Sequence, residues 1–450
     1  MKKLWGGRFK KEIDKGFFNF QKSIQYDYKL AEYDIYHSLI HIGALSSAGI
    51  LKRGEYQKLK NALDNILEEV KNNSFKPDLN SEDIHTDIQN KVEEKTGKLS
   101  LKLHTLRSRN DQVVFDEKLY CLTQAERITG RLKGLISGLE RFSSKYKKSF
   151  LPGYTHTQKA QAVSFSDYLG CFKAMFKGDI SGMAGFRRNL TVYIGSGALA
   201  GSGIPSSAYK KAISYVRKTY LTDKISIKPV ENTLDNVSNR DFIIDFLSLS
   251  AVIQMHLSRM AEDFILYSTK EFGFFDLPEE FCTGSSLMPH KKNPDFLELV
   301  RGNTGRIYGN LMSVLTMMKS LPLTYNRDMQ LDKEPLFSSV DILFREIEIM
   351  AEFVQKIKVK GTSVRRALTG LSLYTVDITG FLVHKGVPFK EAHNIVGKLV
   401  KYLEDKRAEI SDIPEKVLKS FHKKMDKKSI LSLLNPRKSV MSKKGSSRLS

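Results

Sequence analysis

The stretch Thr283–Arg301 brings together residue types that could do acid–base chemistry. A glycine and two serines, of which Ser285 is the first, precede two prolines that enclose Lys291 and Asn293, and Glu298 follows on an amphipathic helix. This order of flexible residues, rigid residues and a helix is what we expect of a loop that closes over a ligand. A serine acts as a base only where an ammonium, loop N–H groups and exclusion of water stabilise its alkoxide. Composition alone fits an ordinary surface turn equally well.

Two other short stretches carry polar residues at informative places. Within Leu103–Val113, Ser108, Arg109 and Asn110 stand at the start of a predicted long helix. Exposed N–H groups at a helix start suit a carboxylate, although a helix cap with a solvated arginine explains the same residues. His156 stands between two threonines, and such a histidine is also compatible with a core or capping role.

Long segments without proline predict the helices that would hold these residues. Val230–Phe272 has neither proline nor glycine, and its apolar residues recur at three and four, so a helix over most of it is expected. Such a helix would be about 50–60 Å long. A second helix is expected over Ala125–Ser144, where Gly130, Gly134 and Gly138 would let a neighbouring helix approach closely. A helix broken near Gly130 is the alternative.

The expected fold class is mainly α, since strand signals are few. Lys224–Lys228 is one short alternating piece that could be a hairpin arm. We place domain boundaries near residues 106 and 360. Residues 1–106 would form an N-terminal helical domain, residues 107–360 a central long-helix domain with a functional loop at 283–296, and residues 361–450 a C-terminal helical domain.

The composition bounds the class of protein. The 450 residues are 41% hydrophobic, which allows a large core, and the formal net charge is +22. That charge is compatible with nucleic-acid binding, with attraction of anionic substrates, or with a lysine-rich solvated surface. The scattered lysines and the absence of a nucleic-acid-binding motif favour the last interpretation, so we expect no specific nucleic-acid partner.

The sequence favours a cytoplasmic protein without a membrane span. The apolar run Asn189–Tyr209 contains four glycines and a proline, which suit a loop. The N-terminus lacks the apolar core of a signal peptide. Cys121, Cys171 and Cys282 lie far apart, so we expect buried, reduced thiols, and no disulfide framework or metal site.

The motif GSS-x-MP-x-K-x-NP at Gly284–Pro294 is identified as the signature of the fumarase–aspartase superfamily. The resemblance implies elimination across a fumaryl unit, with Ser285 as the base. Lys291 would stabilise the doubly negative aci-carboxylate intermediate, which needs fixed positive charge. Asn293 would hydrogen-bond a carboxylate or orient the loop.

Further motifs resemble the argininosuccinate lyase family over essentially the whole chain. GYTH-x-Q implies that His156 pairs with Glu298 and carries a proton, because a carboxylate fixes the tautomer of a histidine. The segment LHTLRSRNDQV resembles the family's carboxylate-binding segment. LWGGRF, SIQYDYKLAEYDI, LPLTYNRDMQLDKE and HKGVPFKEAHNIVG are further matches. The implied substrate-binding residues are Ser23, Asp27, Ser108, Arg109, Asn110, Thr155, Asn293, Tyr325, Gln330 and Lys333.

The resemblance implies a three-domain fumarase/aspartase-like fold and a reversible trans β-elimination of argininosuccinate to arginine and fumarate, as in arginine biosynthesis. Neither a metal nor an organic cofactor is implied. Family members are homotetramers with a twenty-helix core, and three subunits contribute to each site.

Three positions depart from the family pattern. Leu106 replaces a glycine, Asn239 an aspartate, and His290 a glutamine. Adenylosuccinate lyases have a histidine at the position of His290, so that activity, or another fumarate-forming lyase, is an alternative. A non-catalytic structural protein resembling the lens crystallins that use this fold is another, although Ser285, Lys291, His156 and Glu298 are all present.

Overall fold

The computed structural model describes residues 11, 13–221 and 225–443. The motif LWGGRF lies outside the described residues. The α-helices in chain order are α1 Lys15–Gln21, α2 Ile24–Asp27, α3 Ala31–Ser47, α4 Arg53–Lys71, α5 Ile84–Thr96, α6 Arg109–Lys145, α7 Phe165–Asn189, α8 Ser206–Tyr220, α9 Thr233–Ser238, α10 Asp241–Ser268, α11 Asp295–Met318, α12 Lys333–Lys356, α13 Gly361–Ala367, α14 Thr375–His384, α15 Phe389–Lys406, α16 Glu415–Phe421, α17 Lys427–Leu433 and α18 Pro436–Met441. Helices dominate, so the mainly α class is confirmed.

Short strands and 3₁₀ helices complete the described elements. The strands are β1 Phe150–Thr155, β2 Gln158–Ser164, β3 Val192–Ile194, β4 Ile227–Pro229, β5 Phe275–Asp276 and β6 Lys358–Val359. β1–β2 and β5–β6 are antiparallel pairs, and β3–β4 is a parallel pair. The 3₁₀ helices are Tyr28–Leu30, Gly97–Lys102, Glu279–Phe281, Arg327–Asp332 and Leu371–Tyr374. The expected hairpin arm near Lys224–Lys228 is therefore wrong where it is described, because β4 pairs in parallel with β3.

The chain divides into two compact units. Of the described residues, the first comprises 11, 13–130, 179–221, 225–254 and 303–344, and the second comprises 131–178, 255–302 and 345–443. In the first unit, α3 packs against α4 and α8. In the second, a hydrophobic cluster that includes Ile378, Leu399 and Ile430 joins helices α14, α15 and α17. The division at residues 106 and 360 stays a prediction.

Helix α10 is shorter than the helix expected over Val230–Phe272. The chain leaves helical geometry at Asn239, with φ −92° and ψ 136°. The Asn239 side chain then accepts a hydrogen bond from the backbone N–H of Asp241 at 2.6 Å, which caps the new helix as asparagine commonly does. By length and composition α10 could cross a membrane, but half of its most apolar window is buried. A core helix of a soluble protein passes the same test, so this is weak evidence for a membrane span.

The glycines of α6 confirm one of the expected close approaches. A Cβ atom on Gly138 would lie 2.7 Å from the carbonyl oxygen of Ala351, whereas nothing lies within 4 Å of one on Gly130 or Gly134. Gly138 therefore lets α6 and α12 pack closely in the second unit. The helix continues through Gly130 without a break, and the alternative of a broken helix is wrong.

All three cysteines are free thiols. Cys121 is buried, but Cys171 is exposed and Cys282 is half-buried. The expectation of burial is therefore correct for Cys121 alone.

Candidate active site

The loop before α11 is closed at its base and exposed at its tip. Thr283 and Asn293 exchange backbone hydrogen bonds of 3.3 and 2.8 Å. The Asp295 carboxylate accepts from the Thr283 N–H at 3.0 Å and from its hydroxyl at 2.7 Å. The Lys292 ammonium donates to Asp276 at 2.8 Å. These contacts fix the ends of the segment and leave the residues between them in reach of a ligand.

Ser285 occupies a position that suits a base. Its Oγ accepts hydrogen bonds from the backbone N–H groups of Met288 at 3.0 Å and Leu287 at 3.3 Å. Hydrogen bonds to an ionised oxygen are roughly twice as strong as those to a neutral one. The same two donors would therefore stabilise the Ser285 alkoxide more than the hydroxyl, which is what proton abstraction by a serine requires.

The other predicted residues of this loop have distinct settings. Lys291 is exposed, and no carboxylate among the described residues forms an ion pair with it. The Asn293 amide donates to the carbonyl oxygen of Gly284 at 3.3 Å, so it orients the loop. Glu298 is exposed in the first turn of α11.

His156 lies at the tip of the β1–β2 hairpin. Thr155 pairs with Gln158, and the two residues between them, His156 and Thr157, have φ of 52° and 57°. Positive φ at both central positions defines a type I′ turn, which matches the twist of a hairpin. Thr155 and His156 are exposed. Although both residues are described, no hydrogen bond or ion pair joins His156 to Glu298 within this chain.

The start of α6 arranges the predicted carboxylate-binding residues in the first unit. The Arg109 guanidinium lies 3.3 Å from the carboxylate of Asp83, which caps α5. The Asn110 amide donates to the carbonyl oxygen of Ala198 at 3.2 Å. The Ser108 hydroxyl accepts from the Asn110 N–H at 3.3 Å. The side chains of Arg109 and Asn110 are therefore held in place before any ligand binds.

Ser23 and Asp27 form a buried pair. The Ser23 hydroxyl donates to Asp27 at 2.6 Å, and the N–H of Ile84 donates to the other carboxylate oxygen at 3.1 Å. Burial, with a smaller contribution from Asp83, raises the pKa of Asp27 to about 7. Both oxygens of Asp27 are used inside the protein, which suits support of Ser23.

Lys333 is the predicted substrate-binding residue whose surroundings differ most from an open site. Its side chain is 4% exposed, and its ammonium lies 2.7 Å from Glu117 and 3.1 Å from Asp332. The Gln330 amide donates to the backbone of Gln21 at 2.8 Å. Burial raises the pKa of Tyr325, while Lys333 lowers it.

Sequence reasoning missed several buried residues that support these groups. Asp111 accepts hydrogen bonds from the N–H groups of Gly195 at 2.9 Å and Ser196 at 3.1 Å, and so holds the glycine-rich loop after β3. Lys118 donates to Asn236 at 2.8 Å, and burial lowers the pKa of Lys118 to about 8. The available signal was their position on the same predicted helix, with Asp111 directly after Asn110 and Lys118 about two helical turns further along.

One buried group has the residue types of a metal site. Atoms of Asp34, His85 and Asp116 lie within 4.8 Å of one another. However, His85 Nδ1 makes a 2.9 Å hydrogen bond with Asp34, and the Gln112 amide donates to the same carboxylate at 2.8 Å. The buried Arg107 guanidinium interacts with both aspartates and supplies the balancing positive charge. The three side chains therefore form an ion cluster in which Asp34 is hydrogen-bonded, Asp116 lies 3.5 Å from His85, and neither oxygen of Asp116 accepts a hydrogen bond from a described residue.

The structure gives two of the sequence departures a physical reading. Asn239 keeps the side-chain oxygen that caps α10, a role that aspartate fills equally well. Leu106 has φ of 55°, in the left-handed region that glycine favours. The chain therefore retains a glycine-like backbone at Leu106 at the cost of strain. His290 is exposed beside Lys291.

Leu106→Gly is expected to raise the free energy of unfolding by about 0.5–1 kcal/mol, because strain of roughly 1–2 kcal/mol is relieved and the greater freedom of unfolded glycine offsets part of it. Thermal unfolding would measure the change. Leu101→Gly is the matched control, since Leu101 is similarly exposed but sits in a 3₁₀ helix without positive φ, and it should lower stability. A lower Tm for Leu106→Gly would contradict the assignment of strain.

The chain matches two family models. One is described as "Lyase" and matches residues 7–309, and the other as "Argininosuccinate lyase C-terminal" and matches residues 373–441. An argininosuccinate lyase of Caldanaerobacter subterraneus subsp. tengcongensis is 42% identical over 97% of this chain and 98% of its own length. An argininosuccinate lyase of Hydrogenobaculum sp. is 39% identical over 99% of this chain and 94% of its own length.

Solved structures of lower identity share the fold. An EDDS lyase variant with bound fumarate aligns with a TM-score of 0.77 at 21% identity, over 95% of this chain and 84% of that chain. A class II fumarase from Schistosoma mansoni aligns with a TM-score of 0.76 at 15% identity, over 91% of each chain. The architecture is thus that of the fumarate lyase superfamily.

Proposed function

This chain belongs to the argininosuccinate lyase family, and we propose that it cleaves argininosuccinate reversibly to arginine and fumarate with Ser285 as the base. The observation that carries the assignment of the base is the pair of backbone N–H groups directed at Ser285 Oγ. Lys291, in the same loop, provides an exposed ammonium that interacts electrostatically with Asp295 and forms no ion pair with a described carboxylate.

In the proposed mechanism, the Ser285 alkoxide takes the proton from the succinyl carbon next to a carboxylate. The electron pair moves into that carboxylate as a doubly negative aci form, which the Lys291 ammonium stabilises. Re-forming the carboxylate makes the carbon–carbon double bond of fumarate and breaks the carbon–nitrogen bond. The departing guanidine nitrogen takes a proton carried by the pair of His156 and Glu298.

We propose that Arg109, Asn110 and Ser108 bind a carboxylate of the succinyl part, together with Thr155 and Asn293. Ser23, Asp27, Tyr325, Gln330 and Lys333 would bind the arginine part. The prior fixation of Arg109 by Asp83 and of Asn110 by Ala198 supports this assignment, because preorganised groups lose little freedom on binding.

We further propose a homotetramer in which three subunits build each site. Helix α11 exposes large apolar side chains, with Leu299 66%, Met312 61% and Tyr308 45% exposed. Nothing in the described part of the chain lies within 4 Å of a Cβ placed on its glycines Gly302, Gly305 and Gly309. Each glycine inside a helix costs about 1 kcal/mol of helix stability. The glycines and the exposed apolar side chains are both explained if helices of other copies pack closely against α11. Exposed His156 and Glu298 fit a pair completed between copies.

The three free cysteines support a cytoplasmic location.

The test of the activity is the ultraviolet absorbance of fumarate formed from argininosuccinate. We expect a signal with argininosuccinate and none with adenylosuccinate, aspartate or malate under the same conditions. No fumarate from argininosuccinate, or cleavage of adenylosuccinate in its place, would reject the proposed function.

A further inference from the structure

Four charged side chains form a buried quartet in the first unit, namely Arg240, Glu117, Asp332 and Lys333. The Arg240 Nε atom lies 2.8 Å from Asp332 and 3.3 Å from Glu117. The Lys333 Nζ atom lies 2.7 Å from Glu117 and 3.1 Å from Asp332. Three of the side chains are fully buried, and that of Lys333 is 4% exposed. Each cation is therefore shared by the same two carboxylates.

The quartet has no net charge, so the positive charge of Lys333 is already balanced within the protein. Two cations and two carboxylates sum to zero. A ligand carboxylate that binds Lys333 would add a negative charge to a region from which water is excluded, where uncompensated charge is strongly unfavourable. Uptake of one proton by a carboxylate of the quartet would restore neutrality.

Glu117 is the carboxylate suited to take that proton. Asp332 accepts hydrogen bonds from both Arg240 and Lys333, and these two cations hold its pKa below the ordinary value although burial opposes them. Burial, followed by repulsion from Asp332, raises the pKa of Glu117 to about 7. The position of the Arg240 guanidinium agrees with these opposite directions, since its Nε atom lies 2.8 Å from Asp332 but 3.3 Å from Glu117.

Among the other ionisable groups around the quartet, Asp27 also interacts with Lys333, and burial raises its pKa to about 7, but both of its carboxylate oxygens already accept hydrogen bonds from Ser23 and Ile84. Asp116 precedes Glu117 on α6, and Cys121 lies one turn later; both interact electrostatically with Glu117. Tyr325 faces Lys333, Asp332 and Arg240. The nearby Lys118 is repelled by Arg240, and it does not contact Lys333.

We propose that binding of a ligand carboxylate at Lys333 is coupled to uptake of one proton by Glu117, which makes Glu117 a positioning residue that sets how much charge Lys333 can offer. The inference rests on the proposed function in one respect, that Lys333 binds the carboxylate of the arginine part. The bound anion raises the pKa of Glu117 further. Affinity is then highest below the free-state pKa and falls as the pH rises through about 7, because binding must then draw a proton from solvent.

The experiment is isothermal titration calorimetry of the wild-type protein with L-arginine, in two buffers of different ionisation enthalpy at about pH 7.5. We expect the dependence on the buffer to report an uptake of about 0.5–1 proton per arginine bound. Binding of arginine without uptake would overturn the coupling. The titration measures binding and not turnover, so the two proposals can fail separately. If the protein cleaves argininosuccinate but binds arginine without proton uptake, only the coupling is rejected. A protein that neither cleaves argininosuccinate nor binds arginine rejects both proposals.

Glu117→Gln should abolish the uptake and remove the fall of arginine affinity above about pH 7, since glutamine keeps the shape and cannot titrate. Asp87→Asn is the matched control. Asp87 is also a buried acid, with its pKa raised to about 6 by burial, and it accepts a hydrogen bond from the N–H of Asp78, so its variant should keep the uptake. The same uptake in Glu117→Gln as in wild type would contradict the assignment to Glu117.

Discussion

Ser285→Ala is expected to lower kcat by about 10³–10⁴-fold. A positioned general base contributes about 10²–10⁴-fold to the rate, and we expect Ser285 to lie in the upper part of that range. KM should change much less, since the alanine still fills the loop and the two N–H groups remain. The rate of fumarate formation under saturating argininosuccinate measures kcat directly. Circular dichroism should be unchanged, because Ser285 is only half-buried in a loop.

Ser286 provides the matched control for this prediction. Ser286 directly follows Ser285 and is exposed. The N–H groups of Leu287 and Met288 donate their hydrogen bonds to Ser285 Oγ. Ser286→Ala should keep kcat within about tenfold of wild type, as expected for loss of a group outside the chemical step. Equal losses in the two variants, or full activity of Ser285→Ala, would show that Ser285 is not the base.

Lys291→Met is expected to lower kcat by about 10²–10³-fold, the usual loss when one group that stabilises developing negative charge is removed. The fold should be unaffected, because Lys291 is exposed and pairs with no described carboxylate. The loss should appear in kcat as well as in kcat/KM, since the aci-carboxylate carries one more negative charge than the substrate. Steady-state kinetics with argininosuccinate measures both constants.

Lys292→Met tests whether charge in the loop is enough. Lys292 is the neighbouring lysine, and its ammonium is committed to Asp276 and to the carbonyl oxygen of Leu277. We expect a smaller effect, less than about tenfold in kcat, together with a looser loop that raises KM. If the two lysine variants lost activity equally, general electrostatic attraction would explain the result better than a specific role for Lys291.

The local patterns of the sequence were sufficient for the helical class and for the loop that carries Ser285 and Lys291. Apolar spacing of three and four reflects which face of a helix is buried, so α6 and α10 could be expected from neighbouring residues alone. The motif Gly284–Pro294 could likewise be identified without coordinates. The roles assigned to its residues stay predictions until the variants are measured.

Contacts between distant segments decided the rest. The backbone at Leu106 adopts a positive φ that leucine by itself disfavours. The quartet around Lys333 joins residues more than 200 positions apart, and the burial that raises the pKa of Glu117 exists only after these segments pack. Spacing along a chain determines which face a residue occupies, whereas charge balance depends on what the folded protein places opposite that face.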